Sequence, residues 1–370
     1  GFISMPSLLH WLAIALLLPA SSALPHRADE RPCDIFARGG TPCVAAHSMT
    51  RALYAAYAGP LYKVVTSDNR SKDILVLSAG GLADSASQDA FCAKQLCVVH
   101  RIYDQSPMQN HLSIEAGASD LTPPRNAQDR GVNFTDSRSR IVLGGHPVFA
   151  AVFTGNGLDG SQYIGQGYSN RTARGTAIGD QPQSIYAVIS GRHYNSGCCF
   201  DYGNAENGTR TVHSPFVDGA MEAVYFGSAY PPNGTGDGPW VGADLENGIY
   251  ESSTSRAEQP PLPLIDFRAA IVKGNSGNHF SIKSGDAQKP SSLVTLYDGQ
   301  RPQGYEVMKK GGAIVLGIGG DNSPWGAGTF YEGAMTAGYT SDETDAEVMA
   351  NIVSAGYGQH ALVEAVYREF

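Results

Sequence analysis

Carboxylates beside glycines are the residues of this sequence whose types and spacing best suit chemistry. Asp244 and Glu246 lie two apart at the end of an apolar stretch, and Asp321 directly follows Gly319 and Gly320. Residues two apart in a strand point to the same face, which predicts that Asp244 and Glu246 lie together. Two nearby carboxyl groups can cleave a glycosidic bond, because one protonates the leaving oxygen while the other attacks the sugar or activates water.

Other chemistries find less support in the sequence. Three further carboxylates compete for the same roles or serve as structural hydrogen-bonding groups, and spacing alone leaves both alternatives open: Asp201, Glu222 and Glu332. The chain contains no Gly-x-Ser-x-Gly elbow, His-Glu-x-x-His helix or paired Cys-x-x-Cys zinc pattern. Its glycine-dense stretch at 234–238 does not join a strand to a helix, as a phosphate-binding loop does. We therefore expect no metal and no cofactor.

The cysteines predict disulfides. Six are present, and they fall as close pairs: Cys33 and Cys43, Cys92 and Cys97, Cys198 and Cys199. Close spacing favours short-loop bonds within these pairs, although 15 connectivities are possible. A bond between the adjacent Cys198 and Cys199 would close an eight-membered ring, a rigid apolar knob suited to the face of a small sugar. The alternative is that each of these two cysteines pairs with a distant partner.

Export signals lie at the N-terminus and along the chain. The apolar run at 8–18 and the small residues at 21–23 predict a signal peptide over 1–23, followed by a polar leader at 24–32. The alternative of a membrane anchor is disfavoured because the run is too short to span a bilayer. Five glycosylation sequons begin at Asn69, Asn133, Asn170, Asn207 and Asn233. A secreted, extracellular glycoprotein is the prediction.

Charge and composition exclude several partners. The chain has 370 residues, a net charge of -9 and no block of Lys or Arg, which argues against nucleic-acid and anionic-membrane partners. Its 18 tyrosines can stack on sugar rings and hydrogen-bond to them, so neutral ligands fit better. We expect a monomer.

Many short strands are predicted to position these groups. Helices are expected at 44–57 after a capping signal at Thr41 and Pro42, at 84–91, and from a capping box at Thr344 and Glu347 to Gly356. Strands bounded by Gly, Asn, Asp or Pro are expected at 141–143, 148–153, 185–190, 221–226, 240–245, 267–272, 279–282, 293–297, 313–318 and 329–339. This pattern predicts an all-β fold, a β-sandwich of jelly-roll type with a few short peripheral helices, over residues 33–357.

These motifs also resemble a known family, the fungal α-L-arabinofuranosidases of the B type (glycoside hydrolase family 54). The stretches that carry the resemblance are 33–35, 40–47, 102–105, 110–112, 193–206, 238–240, 243–248, 316–323 and 328–333. They run in order and cover nearly the whole chain after the leader. The resemblance implies a β-sandwich that removes terminal α-L-arabinofuranosyl groups from plant polysaccharides such as arabinan and arabinoxylan, with retention of configuration.

Roles for individual residues follow from the resemblance. It implies that Glu246 is the nucleophile and Asp321 the acid/base. It further implies that Asp244, Asn247 and the backbone of Gly320 hold sugar hydroxyls. It also implies that the Cys198–Cys199 disulfide packs on the sugar ring.

Two departures from the family pattern limit these expectations. Residues 358–370 are expected to be a short tail, without the C-terminal arabinose-binding β-trefoil that relatives carry. The loop at 228–236 diverges, and Tyr230 is the nearest candidate for an aromatic that stacks near the sugar in relatives. A β-xylosidase-like glycosidase and a non-catalytic sugar-binding sandwich are the alternatives.

Overall fold

Two antiparallel sheets make up most of the computed structural model, which describes residues 1, 29–93, 95–115, 130–155, 165–207, 217–228, 238–253 and 261–359. The predicted signal peptide beyond its first residue, Tyr230, the sequon at Asn233 and the tail from residue 360 lie outside the described residues. None of the helices in the described part of the chain combines the length and the apolar character needed to cross a membrane.

The described elements are nineteen strands, three α-helices and one short 3-10 helix. The strands are β1 (Cys43–Ser48), β2 (Pro60–Thr66), β3 (Ser71–Leu75), β4 (Cys97–Ile102), β5 (Leu112–Ile114), β6 (Arg140–Leu143), β7 (His146–Phe149), β8 (Ala151–Thr154), β9 (Tyr168–Asn170), β10 (Gln183–Ser190), β11 (Asp201–Ala205), β12 (Glu222–Gly227), β13 (Trp240–Asp244), β14 (Ile249–Tyr250), β15 (Phe267–Gly274), β16 (Phe280–Asp286), β17 (Val294–Gly299), β18 (Ala313–Leu316) and β19 (Ala327–Ala337). The helices are α1 (Pro32–Arg38), α2 (Ser85–Cys92) and α3 (Asp342–Ser354), with the 3-10 helix at Ser137–Ser139.

The two sheets form a sandwich. The smaller sheet has the order β1-β19-β10-β15-β16-β17, with β8 also paired to β19. The larger has the order β14-β13-β12-β11-β18-β9-β5-β4-β2-β3, and β6 and β7 form a separate hairpin. Strands β12 and β13 of the larger sheet lie against β10, β15 and β16 of the smaller one, and apolar side chains from both inner faces make one continuous core. The predicted all-β sandwich with short peripheral helices is confirmed.

The outer face of the larger sheet is where the candidate site lies. Residues directly opposite one another on neighbouring strands point to the same side of a sheet, and Asp244 lies opposite Ala223. Ala223 packs on the outer face in a cluster of mostly small apolar side chains separate from the main core: Ala205, Met221, Ala223, Ala313, Val315 and Ile318. Tyr202, by contrast, joins the main core between the sheets. Asp244 therefore lies on the outer face, opposite the small side chain of Ala223.

Most strand predictions after residue 140 are confirmed to within a few residues, but two boundaries are wrong. The stretch at 148–153 is divided between β7 and β8 at Ala150, where the chain passes from the hairpin to the smaller sheet. The strand predicted at 240–245 ends at Asp244 because a turn begins there. Strands β1 to β5, β9, β11 and β14 had no counterpart in the sequence predictions.

The helix predicted at 44–57 is wrong. Residues Cys43–Ser48 form β1, all six of them buried, and residues 49–59 form turns. Alanine-rich sequence favours a helix in isolation, but here pairing with β19 and a hydrogen bond from the Ala46 N–H to Asp104 Oδ1 (2.7 Å) satisfy an extended backbone. The first helix is instead α1, which has Pro32 in its first turn.

The other two helix predictions stand, with one correction. Helix α2 begins after Asp84, whose side chain caps the helix by accepting the Ser87 N–H. Helix α3 begins at Asp342, two residues before the predicted cap at Thr344. Ser341 is the N-cap and accepts the Thr344 N–H at 3.1 Å, so Thr344 lies within the first turn.

Candidate active site

Glu246 lies in the tight turn between β13 and β14. Its φ is 62° and that of Asn247 is 59°, and a two-residue type I′ hairpin turn needs positive φ at both central positions. Glutamate is uncommon in this region of backbone space. The Glu246 N–H donates to Asp244 Oδ1 at 3.0 Å, and the Tyr305 hydroxyl donates to the Glu246 carbonyl at 2.8 Å. Both peptide groups that flank Glu246 are therefore held.

Strand alternation was the wrong reason to place Asp244 beside Glu246. Asp244 is the last residue of β13, so Glu246 is beyond the strand. The two meet because the Asp244 side chain accepts the N–H two residues later, a turn that aspartate commonly forms. Asn247, the neighbouring residue of the turn, is exposed, and its Nδ2 donates to Asp218 Oδ1 at 3.2 Å.

Asp321 lies in a loop that follows β18. The Ser323 N–H and hydroxyl both donate to Asp321 Oδ1, at 2.8 and 2.5 Å. The same loop is bonded to the cysteine pair, because Cys199 N–H donates to the Ser323 carbonyl and Trp325 N–H donates to the Cys198 carbonyl, each at 3.1 Å. These contacts fix one oxygen of Asp321 and leave its partly exposed side chain at the edge of the site.

The cysteine pair forms a vicinal disulfide across a cis peptide bond. Cys199 is buried with Tyr225 and Ile249, and its Sγ lies 3.4 Å from Asp244 Oδ2. Because both sulfurs are bonded to each other, neither offers the thiolate that a metal ion would need. The remaining cysteines are joined as Cys33–Cys43 and Cys92–Cys97.

Gly320 is in contact with Glu206. A Cβ atom at position 320 would overlap Oε2 of Glu206, so any other residue there requires the Glu206 side chain to move. Arg171 donates to the carbonyl of Gly320 at 2.8 Å and to that of Glu206 at 3.0 Å, while its Nε donates to Glu115 at 3.0 Å. The carbonyl oxygen of Gly320, a candidate ligand for a sugar hydroxyl, thus already has one donor.

Five carboxyl groups influence one another at this place. Burial above all, and then the interaction with Glu206 and the charges of Asp244 and Asp321, together raise the pKa of Glu246 to about 12. Burial raises the pKa of Asp244 to about 7, against the opposing effects of the Glu246 N–H and a hydrogen bond from Asp201. Burial and the nearby Asp244 also raise the pKa of Asp201 well above its usual range. The cluster therefore retains protons at neutral pH.

Two of the competing carboxylates are structural. Burial would raise the pKa of Glu222, but the charges of Lys310 and Arg301, whose nitrogens lie 3.2 and 3.1 Å from its oxygens, hold it below its usual range. Glu332 is fully buried and receives two hydrogen bonds from Arg51, at 2.6 and 2.7 Å. Both carboxylates are therefore neutralised by fixed cations.

Sequence reasoning missed Glu206 and Tyr305 as members of the site. Glu206 ends one of the stretches of family resemblance, but it lies five residues after Asp201, which alternation would place on the opposite face. The two can serve one site because β11 ends at Ala205 and Glu206 is outside the strand. Tyr305 is distant in sequence, and no motif marks it. A separate surface cavity of about 730 Å³ lies beside α2 and the β6–β7 hairpin, and none of the site residues lines it.

A β-sandwich with paired carboxyl groups is of the class found among glycoside hydrolases, where two such groups flank the bond to be cleaved. Residues 32–358 match the family described as alpha-L-arabinofuranosidase B, catalytic, and the chain belongs to this family.

Relatives and solved structures agree with this assignment. A probable alpha-L-arabinofuranosidase B of Aspergillus terreus (strain NIH 2624 / FGSC A1156) is 47% identical over 331 residues, which cover 88% of this chain and 62% of the relative. An arabinofuranosidase/B-xylosidase of Trichoderma koningii is 46% identical over 331 residues, covering 88% and 63%. The crystal structure of an arabinofuranosidase complexed with arabinofuranosyl-alpha-1,2-xylobiose superposes with a TM-score of 0.80 at 41% identity, covering 90% of this chain and 66% of that one. The chain thus spans slightly less than two thirds of the length of these three proteins.

Proposed function

We propose that this chain releases terminal α-L-arabinofuranosyl groups from plant polysaccharides or oligosaccharides, with retention of configuration. One observation carries the proposal: the Asp321 loop and the Glu246 turn meet at the vicinal disulfide. The Cys199 N–H donates to the Ser323 carbonyl at 3.1 Å, Cys199 Sγ lies 3.4 Å from Asp244 Oδ2, and Asp244 Oδ1 accepts the Glu246 N–H at 3.0 Å. The relatives that are named as arabinofuranosidases, and the solved one that holds an arabinofuranosyl saccharide, support the choice of sugar.

The proposed reaction has two steps. In the first, the ionised Glu246 attacks the anomeric carbon while Asp321 gives its proton to the departing glycosidic oxygen, and a glycosyl ester of Glu246 forms. In the second, Asp321 takes a proton from water, the water oxygen attacks the anomeric carbon, and arabinose leaves as Glu246 regains its charge. Two inversions at one carbon give overall retention.

Other site residues have supporting roles in this proposal. Asp244 and Asn247 are proposed to hold sugar hydroxyls, together with the backbone at Gly320. The vicinal disulfide offers an apolar surface beside Asp244, to which one face of a furanose ring could pack. Neither role needs a metal ion or an organic cofactor.

The test is hydrolysis of 4-nitrophenyl α-L-arabinofuranoside, with the anomer of the first-formed product followed by NMR. We expect arabinose to appear first as the same anomer as the substrate. Glu246→Gln should lower kcat at least about 1,000-fold with the fold intact by circular dichroism, because the nucleophile is lost. Binding of the saccharide without hydrolysis would favour the non-catalytic alternative, and full activity of Glu246→Gln would remove that residue from the mechanism.

A β-xylosidase activity is the second candidate, favoured by the name of the Trichoderma koningii relative. Comparing kcat/KM for the aryl α-L-arabinofuranoside and the aryl β-D-xyloside decides between the two. We expect the arabinofuranoside to be preferred. A higher value for the xyloside would reverse the assignment.

Secretion is part of the proposal. Three disulfides in the described chain suit an oxidising compartment. Four of the five sequon asparagines lie in the described residues, and all four are partly or fully exposed: Asn69, Asn133, Asn170 and Asn207. Mass spectrometry of the protein secreted by a fungal host, before and after removal of N-glycans, tests which of them carry glycans.

A further inference from the structure

The surface cavity beside α2 has no role in the proposed reaction. Its volume of about 730 Å³ falls within the roughly 300–1,000 Å³ typical of ligand sites, and α2, the 3-10 helix and the β6–β7 hairpin all contribute to its lining. The apolar part of the lining includes Leu96, which is 50% exposed, and Phe134, whose ring centre lies 4.9 Å from that of Phe149. Exposed apolar surface that is concave and bordered by polar groups is typical of a binding site.

The two described acidic side chains that line the cavity are each paired with an arginine. Asp89 forms an ion pair with Arg140, whose guanidinium also lies 4.6 Å from the centre of the Phe149 ring. Asp136 Oδ1 accepts a hydrogen bond from Arg138 Nε at 2.8 Å. Because these charges already compensate one another, the cavity favours a neutral ligand over an ion.

Gln88 brings a buried hydrogen-bond donor to the cavity. It lies on α2, is 1% exposed and lines the cavity, and its Oε1 accepts a hydrogen bond from the Tyr62 hydroxyl. In the described part of the chain, no atom accepts a hydrogen bond from its Nε2. Polar groups of buried side chains are normally hydrogen-bonded, so this nitrogen is available to an acceptor on a ligand, such as an amide carbonyl.

The glycosylation sequon at Asn133 begins at the edge of this cavity. The two residues after it, Phe134 and Thr135, line the cavity, and Asn133 itself pairs with Val98, the neighbour of the lining residue Cys97. Asn133 Oδ1 accepts the Thr135 N–H at 3.0 Å and the Thr135 hydroxyl at 2.6 Å, which holds the side-chain amide against a lining residue. Its Nδ2, the atom to which an N-glycan is attached, has no acceptor among the described residues.

We propose that the cavity beside α2 binds the first sugars of an N-glycan attached to Asn133. The inference rests on the proposed secretion and not on the proposed hydrolysis. The first sugar of an N-glycan is N-acetylglucosamine, a neutral ring whose acetamido carbonyl can accept a hydrogen bond from Gln88 Nε2. Its methyl and ring C–H groups can pack on Leu96 and Phe134. The covalent link keeps these sugars at a high effective concentration beside the cavity, so weak contacts are enough to hold them.

Digestion of the native protein with an endoglycosidase that cuts between the first two sugars tests this contact. The protein is produced in a fungal host behind a secretion signal, and peptide mass spectrometry follows the glycans at Asn133 and Asn170. Asn170 is the matched reference: its Oδ1 also accepts the N–H and hydroxyl of the threonine two residues later, at 3.0 and 3.4 Å, but neither Arg171 nor Thr172 lines the cavity. We expect release at Asn133 to be at least about tenfold slower than at Asn170, because the bound sugars must leave the cavity before they are cut.

Leu96→Ser distinguishes binding in the cavity from simple crowding around the sequon. Leu96 is exposed, so the variant should fold, and the loss of apolar contact should make release at Asn133 about three- to tenfold faster while release at Asn170 stays unchanged. Leu264→Ser is the control, because Leu264 is 49% exposed and does not line the cavity. Both release rates of the Leu264→Ser variant should equal those of the wild type.

Three results would overturn the proposal. They are an Asn133 without glycan in protein that carries one at Asn170, equal release rates at the two sites, and a folded Leu96→Ser variant that is digested like the wild type. In the first case, binding of added xylobiose beside Leu96 would identify a free saccharide as the occupant instead. None of these measurements depends on hydrolysis of an arabinofuranoside, so failure of the glycan contact is distinguishable from failure of the proposed function.

Discussion

Replacing Asp244 by Asn should make the folded protein more stable near neutral pH. Asp244 is 6% exposed and accepts the Glu246 N–H through Oδ1, and burial raises its pKa to about 7. Asparagine has the same shape, and its own Oδ1 can accept the same N–H. The substitution therefore removes a charge that the fold disfavours while it keeps the contact that shapes the turn.

The size of the effect follows from the pKa values of the two states. The ordinary pKa is 3.8, so between pH 3.8 and about 7 the folded protein retains a proton that the unfolded chain has lost. The free energy of unfolding then falls as pH rises, by about 1.4 kcal/mol per pH unit and about 4 kcal/mol across the interval. The stabilisation is complete below pH 3.8 and is lost above about pH 7. The unfolding free energy of the Asp244→Asn variant does not depend on pH through this position. Because the titration of Asp244 is coupled to that of Asp201, about 4 kcal/mol is the upper bound on the difference between variant and wild type.

Urea unfolding of the disulfide-intact protein at pH 4, 5.5 and 7 measures the difference. The free energy of unfolding of Asp244→Asn, relative to that of the wild type, should rise steadily from pH 4 to pH 7. Asp342→Asn is a control in which the pKa shift has the opposite direction, because hydrogen bonds from Lys283 and Lys273 lower the pKa of Asp342 to about 2. The stability that ionised Asp342 contributes to the fold is therefore lost only as the pH falls below 3.8. That control should be less stable than the wild type by a constant amount over the same range. Parallel wild-type and Asp244→Asn curves would refute the reasoning.

Three further substitutions test residues that hold the candidate site or the surrounding sheet in place. Gly320→Ala places a methyl group on the Glu206 carboxylate, and we expect kcat/KM for the arabinofuranoside to fall at least about tenfold, as measured by initial rates. Tyr305→Phe leaves the carbonyl of Glu246 without its donor, which should cost about 1–2 kcal/mol in urea unfolding and lower kcat more than it raises KM. Glu222→Gln leaves two buried cations uncompensated and should cost about 3–5 kcal/mol, so a Tm within a degree of the wild type would contradict its structural role.

How far the sequence predicts this fold depends on what each element packs against. The apolar, turn-bounded strands after residue 140 were identifiable because their neighbours are other strands of the same kind. Residues Cys43–Ser48 were not, because every residue of that strand is buried and no polar face distinguishes a strand from a helix. The start of α3 was misplaced because two hydroxyl residues, Ser341 and Thr344, both suit a cap, and only the structure shows which accepts the N–H.

The sequence predicts those residues of the candidate site that lie in a recognisable motif. Asp244, Glu246 and Asp321 lie in runs whose types suggest carboxyl chemistry and whose order resembles a family. Glu206 could not be assigned to the site in this way, since its position against Gly320 depends on where β11 ends and on how the loop after β18 folds. Packing between segments so far apart in the sequence is a property of the assembled sheet, not of either segment.

The acidic groups that lie close together on one face of the larger sheet should also make binding selective for the charge of the ligand. Buried carboxyl groups repel a further negative charge, so under the proposed function saccharides that bear uronic acids next to the scissile bond should be excluded. A ring whose nitrogen is positively charged would instead be attracted by several acidic groups at once. Under the proposed function, the same arrangement favours neutral sugars and makes the site sensitive to cationic mimics of them.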